Sequence, residues 1–476
     1  MTSSARNFVC LLEETAARFP EKPALLCPDA TLTYGALQQR AAGFARELAE
    51  GNVGPGDRVA MVLPNHWTFV VAMLGIWKLG ATAVPLSPLL KAEEREAILA
   101  DLDPAVVVER VAPREGVWDT ATEAGAPAHF GYSSGSTGRP KGAVFSHSAL
   151  TFANRSWADM MAVTSEDVVL SVLPLPHSFG LNGSLLAPLL RGAQVVLPGG
   201  FVPDQVLATM EERRVTLFLG VATMFRRLLS VPEFARADLS SLRLSVSGAA
   251  PCPWDLASEW RGRAGHRILR GYGMTELFRP ISYLASEAED RPECIGRAVP
   301  GVDIRVVAEE GAESGAADAG ELWIRTPAAL QGYWNDTAPA LEEGWFRTGD
   351  LARVSADGFV EITGRLRERS LRGGYSVFPQ EVEAVLAEHP DVAEAAVVGV
   401  PHPELGEEVA AFVVANAGAN PGTGSLTAYC TERLARFKYP RHIRIVTELP
   451  KGPTGKVLKP ELLRGWWAEK GKGEEP

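Results

Sequence analysis

The chain has 476 residues, 46% of them hydrophobic and 22% charged, so it is too long for a single core and too apolar to stay disordered; two or three structural units of ~150 residues each are expected. Lys and Arg total 47 against 58 Asp and Glu, a formal net charge of -11 that opposes nonspecific attraction to nucleic-acid phosphates. The five cysteines (Cys10, Cys27, Cys252, Cys294, Cys430) are scattered with no CxxC pair, which argues against a zinc site or a disulfide framework and fits a reducing cytosol.

At the N-terminus, Phe8, Leu11 and Leu12 fall at helical spacing among acids, without the basic start and apolar run of a secretory signal. No segment reaches the ~18 apolar residues of a membrane helix. The expectation is a cytoplasmic protein with no membrane insertion and no nucleic-acid partner; a homodimer is left open. From Asp57 to Pro85 the pattern reads strand (Val59 to Leu63), helix (Phe69 to Leu79, stopped by Gly80) and strand (Ala83 to Leu86). The same rhythm returns between Val168 and Val246, with strands at Val168 to Leu173, Gln194 to Leu197, Thr216 to Leu219 and Leu242 to Val246. Helices are expected at Asp204 to Arg213 and Thr223 to Leu229. Such alternation predicts an α/β fold of mainly parallel sheets flanked by helices.

After about Gly296 the texture shifts to short strands with Gly turns, including a hairpin around Asp357-Gly358 and a polar stretch from Glu309 to Gly320. Pro379 opens a helix carrying Glu381 and Glu383 in its first turn. Strands at Ala395 to Val400, Ala411 to Val414 and Ile443 to Val446 follow, giving a small α+β C-terminal domain. The boundaries read as a large N-terminal domain, 1–366, and a C-terminal domain, 367–476.

The segment Tyr132 to His147, YSSGSTGRPKGAVFSH, packs Gly135, Gly138 and Gly142 among hydroxyls and Lys141. Glycines let backbone N–H groups approach an anion, hydroxyls add donors, and the lysine supplies charge; these are the demands of a polyphosphate. It is not a Walker loop, because Pro140 precedes Lys141 and Gly142 follows it. GYGMTE, Gly271 to Glu276, lacks the third glycine of a dinucleotide fingerprint. A plain Gly/Ser surface loop is the alternative for the first segment.

Four further strings accompany the loop in order: GYGMTE at 271, FRTGDLARV at 346, GRLRERSLRGGYSVFPQEVE at 364 and LPKGPTGKVLK at 449. Together the five resemble the acyl-adenylate-forming superfamily, which includes acyl-CoA ligases, the adenylation domains of nonribosomal peptide synthetases, and luciferases. The resemblance runs from the N-terminal helix to about Leu463. It implies a mobile C-terminal domain that turns between two half-reactions about a hinge at Arg367-Glu368, where Glu368 and Ser370 depart from the usual residues.

Residue by residue, the resemblance implies that Ser133, Ser136, Thr137 and Lys141 hold the β- and γ-phosphates of ATP. Tyr272 stacks on adenine beside Gly248 and Ala249, Thr275 touches the α-phosphate, and Glu276 holds Mg²⁺. Asp350 accepts the ribose hydroxyls with help from Arg365. Lys456 bridges the attacking carboxylate and the α-phosphate, and Gly373 and Gly374 open a channel for a pantetheine thiol. Standing alone, Asp350, Arg365, Tyr272 and Lys456 would each read as ordinary turn, surface or packing residues.

Leu173 to Asn182, LPLPHSFGLN, resembles the family segment that gates the acid pocket, with His177 as the candidate; a satisfied loop histidine is the alternative. No acid lies between Pro176 and Ser184 to pair with an amine, which disfavours an ordinary α-amino acid. Arg279 either faces the pocket and recognises a second anionic or polar group, or simply points outward. The acceptor thiol is that of coenzyme A or of a separate carrier protein's phosphopantetheine. Two rival readings stay open: a relative that activates another oxyanion, and a non-catalytic nucleotide-binding regulatory protein.

Overall fold

The computed structural model describes residues 7–112, 114–120, 123–133, 141–287, 290–308, 319–366, 370–372, 375–452 and 457–470. The chain packs as two compact units, Met1–Ile304 with Ile324–Phe346, and Arg305–Trp323 with Arg347–Pro476.

Two largely parallel sheets organise the first unit. In one, the described strands run in the order Gly332–Tyr333, Lys141–Ser146, Pro127–Ser133, Thr82–Leu86, Arg58–Val62, Val106–Val108. The expected strand–helix–strand unit sits here: Arg58–Val62 and Thr82–Leu86 pair in parallel, joined through the helix Trp67–Leu79. Apart from Thr68 and Lys78 that helix is apolar, and it is buried except at Thr68, as a helix between two layers must be. Gly80 ends it at φ 82°, a left-handed cap that glycine adopts without a steric penalty. The other sheet runs Ile268–Leu269, Leu244–Ser247, Leu217–Gly220, Val168–Leu170, Gln194–Val196, Pro23–Leu26, Thr31–Thr33, parallel except for the last pair.

The expected helices of the second repeat form at Pro203–Glu212 and Ala222–Leu229. Between the sheets' elements runs a π-helix, Phe179–Leu186, in a segment expected only as a pocket-gating loop. A Cβ on Gly180 would stand 2.3 Å from the Pro174 carbonyl oxygen, so the tight entry to this helix requires glycine. A small antiparallel sheet, Gly271–Met274, Phe278–Ser282 and Arg297–Ala298, completes the unit.

The second unit holds the expected hairpin: Phe346–Val354 and Val360–Arg365 pair antiparallel across Asp357-Gly358, with Gly358 at φ 86°. Its C-terminal part is a mixed sheet in which Val392–His402, at the edge, and Gly406–Ala415 form the longest pair. Alternation along those strands sends Val397, Val409, Ala411 and Val413 to one face, with the helices Pro379–Ala387 and Thr423–Arg433. Val398, Val400, Ala410 and Phe412 go to the other, with Leu462 and Trp466 of the helix Lys459–Lys470. The α/β body and the small α+β C-terminal part thus match the expected architecture.

The compact units divide at Phe346–Arg347, whereas Arg367 and Glu368 lie in 367–369, outside the described residues. A packing boundary and a pivot are different quantities. Most of the polar stretch from Glu309 also falls outside the description. All five cysteines are described and remain thiols. Among the described residues no helix is long and apolar enough to cross a membrane.

Candidate active site

The ends of the glycine-rich segment from Ser133 to Gly142 are held by a ladder. Ser133 closes the strand Pro127–Ser133, Lys141 opens Lys141–Ser146, and the two pair directly. Ser136 and Thr137 belong to 134–140, outside the described residues. A Cβ on Gly142 would sit 2.9 Å from the Tyr132 ring, whose hydroxyl donates to Asp101 at 2.7 Å.

On the free edge of Lys141–Ser146, the short strand Gly332–Tyr333 pairs antiparallel and delivers Tyr333 to the site. Lys141 Nζ lies 5.2 Å from the Tyr333 ring centroid and 3.0 Å from Asp336 Oδ2. The Tyr333 hydroxyl donates to Glu276 Oε1 at 2.9 Å. One tyrosine therefore stands between the loop's cation and the carboxylate of GYGMTE. Tyr333 and Asp336 were not singled out from sequence, because neither belongs to a local motif.

Thr275 and Glu276 occupy the turn between Gly271–Met274 and Phe278–Ser282, whose pairing shifts register between Tyr272 and Met274. Phe278 at φ 60° and Ala249 at φ 64° both hold left-handed conformations costly for residues with a Cβ. A Cβ on Gly273 would stand 2.0 Å from the Phe278 carbonyl oxygen. Gly273→Ala is therefore expected to force the hairpin open, lowering stability by about 1–3 kcal/mol and displacing Thr275. Thermal unfolding together with nucleotide-exchange kinetics checks this; an unchanged midpoint and rate would contradict it.

Thr275 lines a narrow cavity with His129, Phe145, Ser178, Asn182 and Phe278. His177 stands at the entry to the π-helix, where its Nδ1 accepts from the Phe179 N–H at 3.2 Å. Burial lowers its pKa, so the ring is neutral at pH 7 with its proton assigned to Nε2. Gly248 follows the strand Leu244–Ser247 and packs against Phe179. Arg279, for which an outward orientation was one reading, is instead 5% exposed.

In the second unit, Asp350 and Arg365 face each other across the hairpin. Arg365 donates to Asp350 through Nε at 2.5 Å and Nη2 at 3.3 Å, and the carboxylate is buried at 2% exposure. Glu321, not anticipated from sequence, holds this turn: its Oε1 accepts from the Gly349 N–H at 3.2 Å, and its Oε2 accepts from Arg347 and Trp323. Gly349 itself is at φ 70°. Gly373, Gly374 and Lys456 lie outside the described residues. The segments flanking Lys456 are tied together: Lys451 and Val457 form an antiparallel bridge, and the Leu458 N–H donates to Pro450 O at 2.8 Å.

The sequence profile of AMP-binding enzymes matches residues 12–120 and 111–334, and that of the AMP-binding enzyme C-terminal domain matches 381–456. A feruloyl-CoA synthase of an Amycolatopsis species is 35% identical, covering 94% of this chain and 98% of its own. Among solved structures, ATP-bound MatB from Rhodopseudomonas palustris is similar with a TM-score of 0.91 at 29% identity, over 97% of this chain and 99% of that one. The anthranilate CoA ligase AuaEII, in complex with anthranoyl-AMP, gives a TM-score of 0.89 at 30% identity, over 98% of each chain. The chain belongs to the AMP-binding enzymes, the acyl-adenylate-forming superfamily.

Proposed function

We propose that the protein is an ATP-dependent, AMP-forming acid–thiol ligase, which activates a carboxylic acid as an acyl-adenylate and transfers the acyl group to coenzyme A. The observation that carries this reading is the meeting of Lys141 and Glu276 on either side of Tyr333. It sets a polyphosphate-binding cation beside a carboxylate suited to a phosphate-bound divalent ion. A regulatory protein without catalysis has no support, since the relatives of full length are named as ligases and synthases.

In the first half-reaction an oxygen of the acid's carboxylate bonds to the α-phosphorus, and the bond from that phosphorus to the bridging oxygen breaks, releasing pyrophosphate. Two unit charges ~4 Å apart repel by about 4 kcal/mol at an effective dielectric of ~20, so the protein's task is neutralisation and alignment. Lys141, with Ser133, Ser136 and Thr137, receives the departing pyrophosphate. Thr275 donates to the α-phosphate, and Lys456 meets the charge that gathers as the carboxylate attacks. Tyr272 stacks on the adenine beside Gly248 and Ala249.

Glu276 fits Mg²⁺: Tyr333 takes one carboxylate oxygen, and the other has no protein partner among the described residues. An ion that keeps several waters and phosphate oxygens needs few protein ligands. When bound, Mg²⁺ supplies charge to the phosphate oxygens.

In the second half-reaction the thiol sulfur attacks the acyl carbonyl carbon, AMP leaves, and the thiol proton passes to solvent. We assign the change between halves to a turn of the C-terminal domain at Arg367-Glu368, which withdraws Lys456, with Gly373 and Gly374 giving passage to the pantetheine arm. The neutral His177 borders the acid. The cytoplasm, where ATP and coenzyme A are both present, is the compartment proposed.

Asp350 is assigned to the ribose, because it is a buried carboxylate, a hydroxyl acceptor, whose orientation Arg365 fixes through two donors. Asp350→Asn is expected to raise the KM for ATP by on the order of 10–100-fold, with the KM for the acid unchanged. Steady-state kinetics with each substrate varied in turn checks this. The reading as a whole is tested by pyrophosphate–ATP exchange driven by a panel of carboxylic acids. Exchange that requires an acid supports it, and ATP binding without exchange under any acid refutes it.

A further inference from the structure

Among the described residues, Arg279 is a cation with no counter-ion. Its Nε donates to Ser282 Oγ at 3.1 Å, Nη1 to Ser247 O at 3.1 Å and Nη2 to Leu269 O at 3.4 Å, all neutral oxygens. No carboxylate among the described residues pairs with it. The guanidinium lies 5.1 Å from the Trp157 ring centroid and 5.8 Å from that of Phe179. The other deeply buried arginine among the described residues differs: Arg270 is paired with Asp290 at 2.6 Å. Interiors ordinarily hold a charge only with a partner, because the desolvation penalty is otherwise uncompensated. The five N–H donors of a guanidinium exceed the three acceptors it meets here.

Its position is informative. A Cβ added to Gly271 would stand 2.4 Å from Nη2, and one added to Gly248 would stand 3.1 Å from both Nη1 and the Phe179 ring. Two glycines thus make room for the guanidinium. It lies against Phe179, Gly248 and Gly271, each within a segment assigned to the acid or the nucleotide. Phe278, its neighbour in the chain, and Ser178, the neighbour of Phe179, both line the cavity that Thr275 borders. Burial pushes the Arg279 pKa down to about 9, and the group is still a cation at neutral pH.

We propose that Arg279 selects the substrate: the acid activated by this protein carries a second anionic group, a carboxylate remote from the reacting one, whose charge Arg279 receives. The inference rests on the acid-activating reading above. A planar guanidinium matches a carboxylate through two parallel N–H donors, and in this water-poor shell a neutral replacement leaves the cation without its partner.

The test compares pyrophosphate exchange for matched pairs of acids, each a dicarboxylic acid and its monoamide or monomethyl ester, in the full-length wild type and in Arg279→Leu and Arg279→Lys. The wild type is expected to favour the diacid in kcat/KM by on the order of 10–100-fold. Arg279→Leu should bring the ratio near one, and Arg279→Lys should keep part of the preference. A wild type that uses the monoacids as well as or better than the diacids overturns the inference while leaving the ligase intact. Exchange with no acid of either kind removes the ligase reading, and this inference with it. The wild-type comparison stands even if a variant fails to fold.

Discussion

Lys456→Ala is expected to slow acid-driven pyrophosphate exchange by about 10²–10³-fold while leaving acyl transfer from a supplied acyl-adenylate to coenzyme A largely intact. The asymmetry follows from where charge develops. When a carboxylate approaches the α-phosphorus, negative charge accumulates between two groups that already repel, and a fixed cation there stabilises the transition state more than the ground state. In the thiol step, AMP leaves with charge the nucleotide site already accommodates, so the same cation contributes little. Exchange kinetics and single-turnover transfer, measured on one preparation, separate the halves. Equal loss of both would contradict two working orientations of the C-terminal domain.

Mild acid should destabilise the protein, with two buried histidines as the main cause. His147 is fully buried edge-on to Trp77 at 5.9 Å, and neither ring nitrogen has a hydrogen-bond partner among the described residues. His129 is 4% exposed in the strand Pro127–Ser133, with Nδ1 likewise unpartnered. Burial holds both pKa values down at about 4. An unfolded histidine takes a proton near pH 6.5, so between there and about 4 the unfolded chain binds more protons than the native one. Stability is complete above that window and falls as pH descends through it, by roughly 2 kcal/mol per histidine between pH 7 and 5. Denaturant titrations at the two pH values measure the loss. His147→Phe should lessen the loss between pH 7 and 5 by roughly 2 kcal/mol; an unchanged dependence would contradict its role.

Much of the architecture is legible because its causes are local. The apolar run through Trp67–Leu79 with Gly80 after it, the Asp357-Gly358 turn and Pro379 at the head of its helix each carry their own stop or start signal. The π-helix at Phe179–Leu186 was missed because its cause is not local: Gly180 fits against Pro174 only once the chain has turned. Tyr333, Asp336 and Glu321 look like ordinary polar positions until strand pairing brings them beside Glu276, Lys141 and Gly349. Arg279 shows the same limit, since a single arginine in a short strand has no periodicity to say which way it points. Burial decides the question by placing it against Gly248 and Gly271.

In the proposed reaction the attack falls on the α-phosphorus. Phosphorus NMR of the products, with ATP, Mg²⁺, coenzyme A and an accepted acid, tests it most directly. AMP and pyrophosphate, appearing in equal amounts and only when the acid is present, are the predicted result. ADP with inorganic phosphate, or AMP released without dependence on any acid, would contradict it.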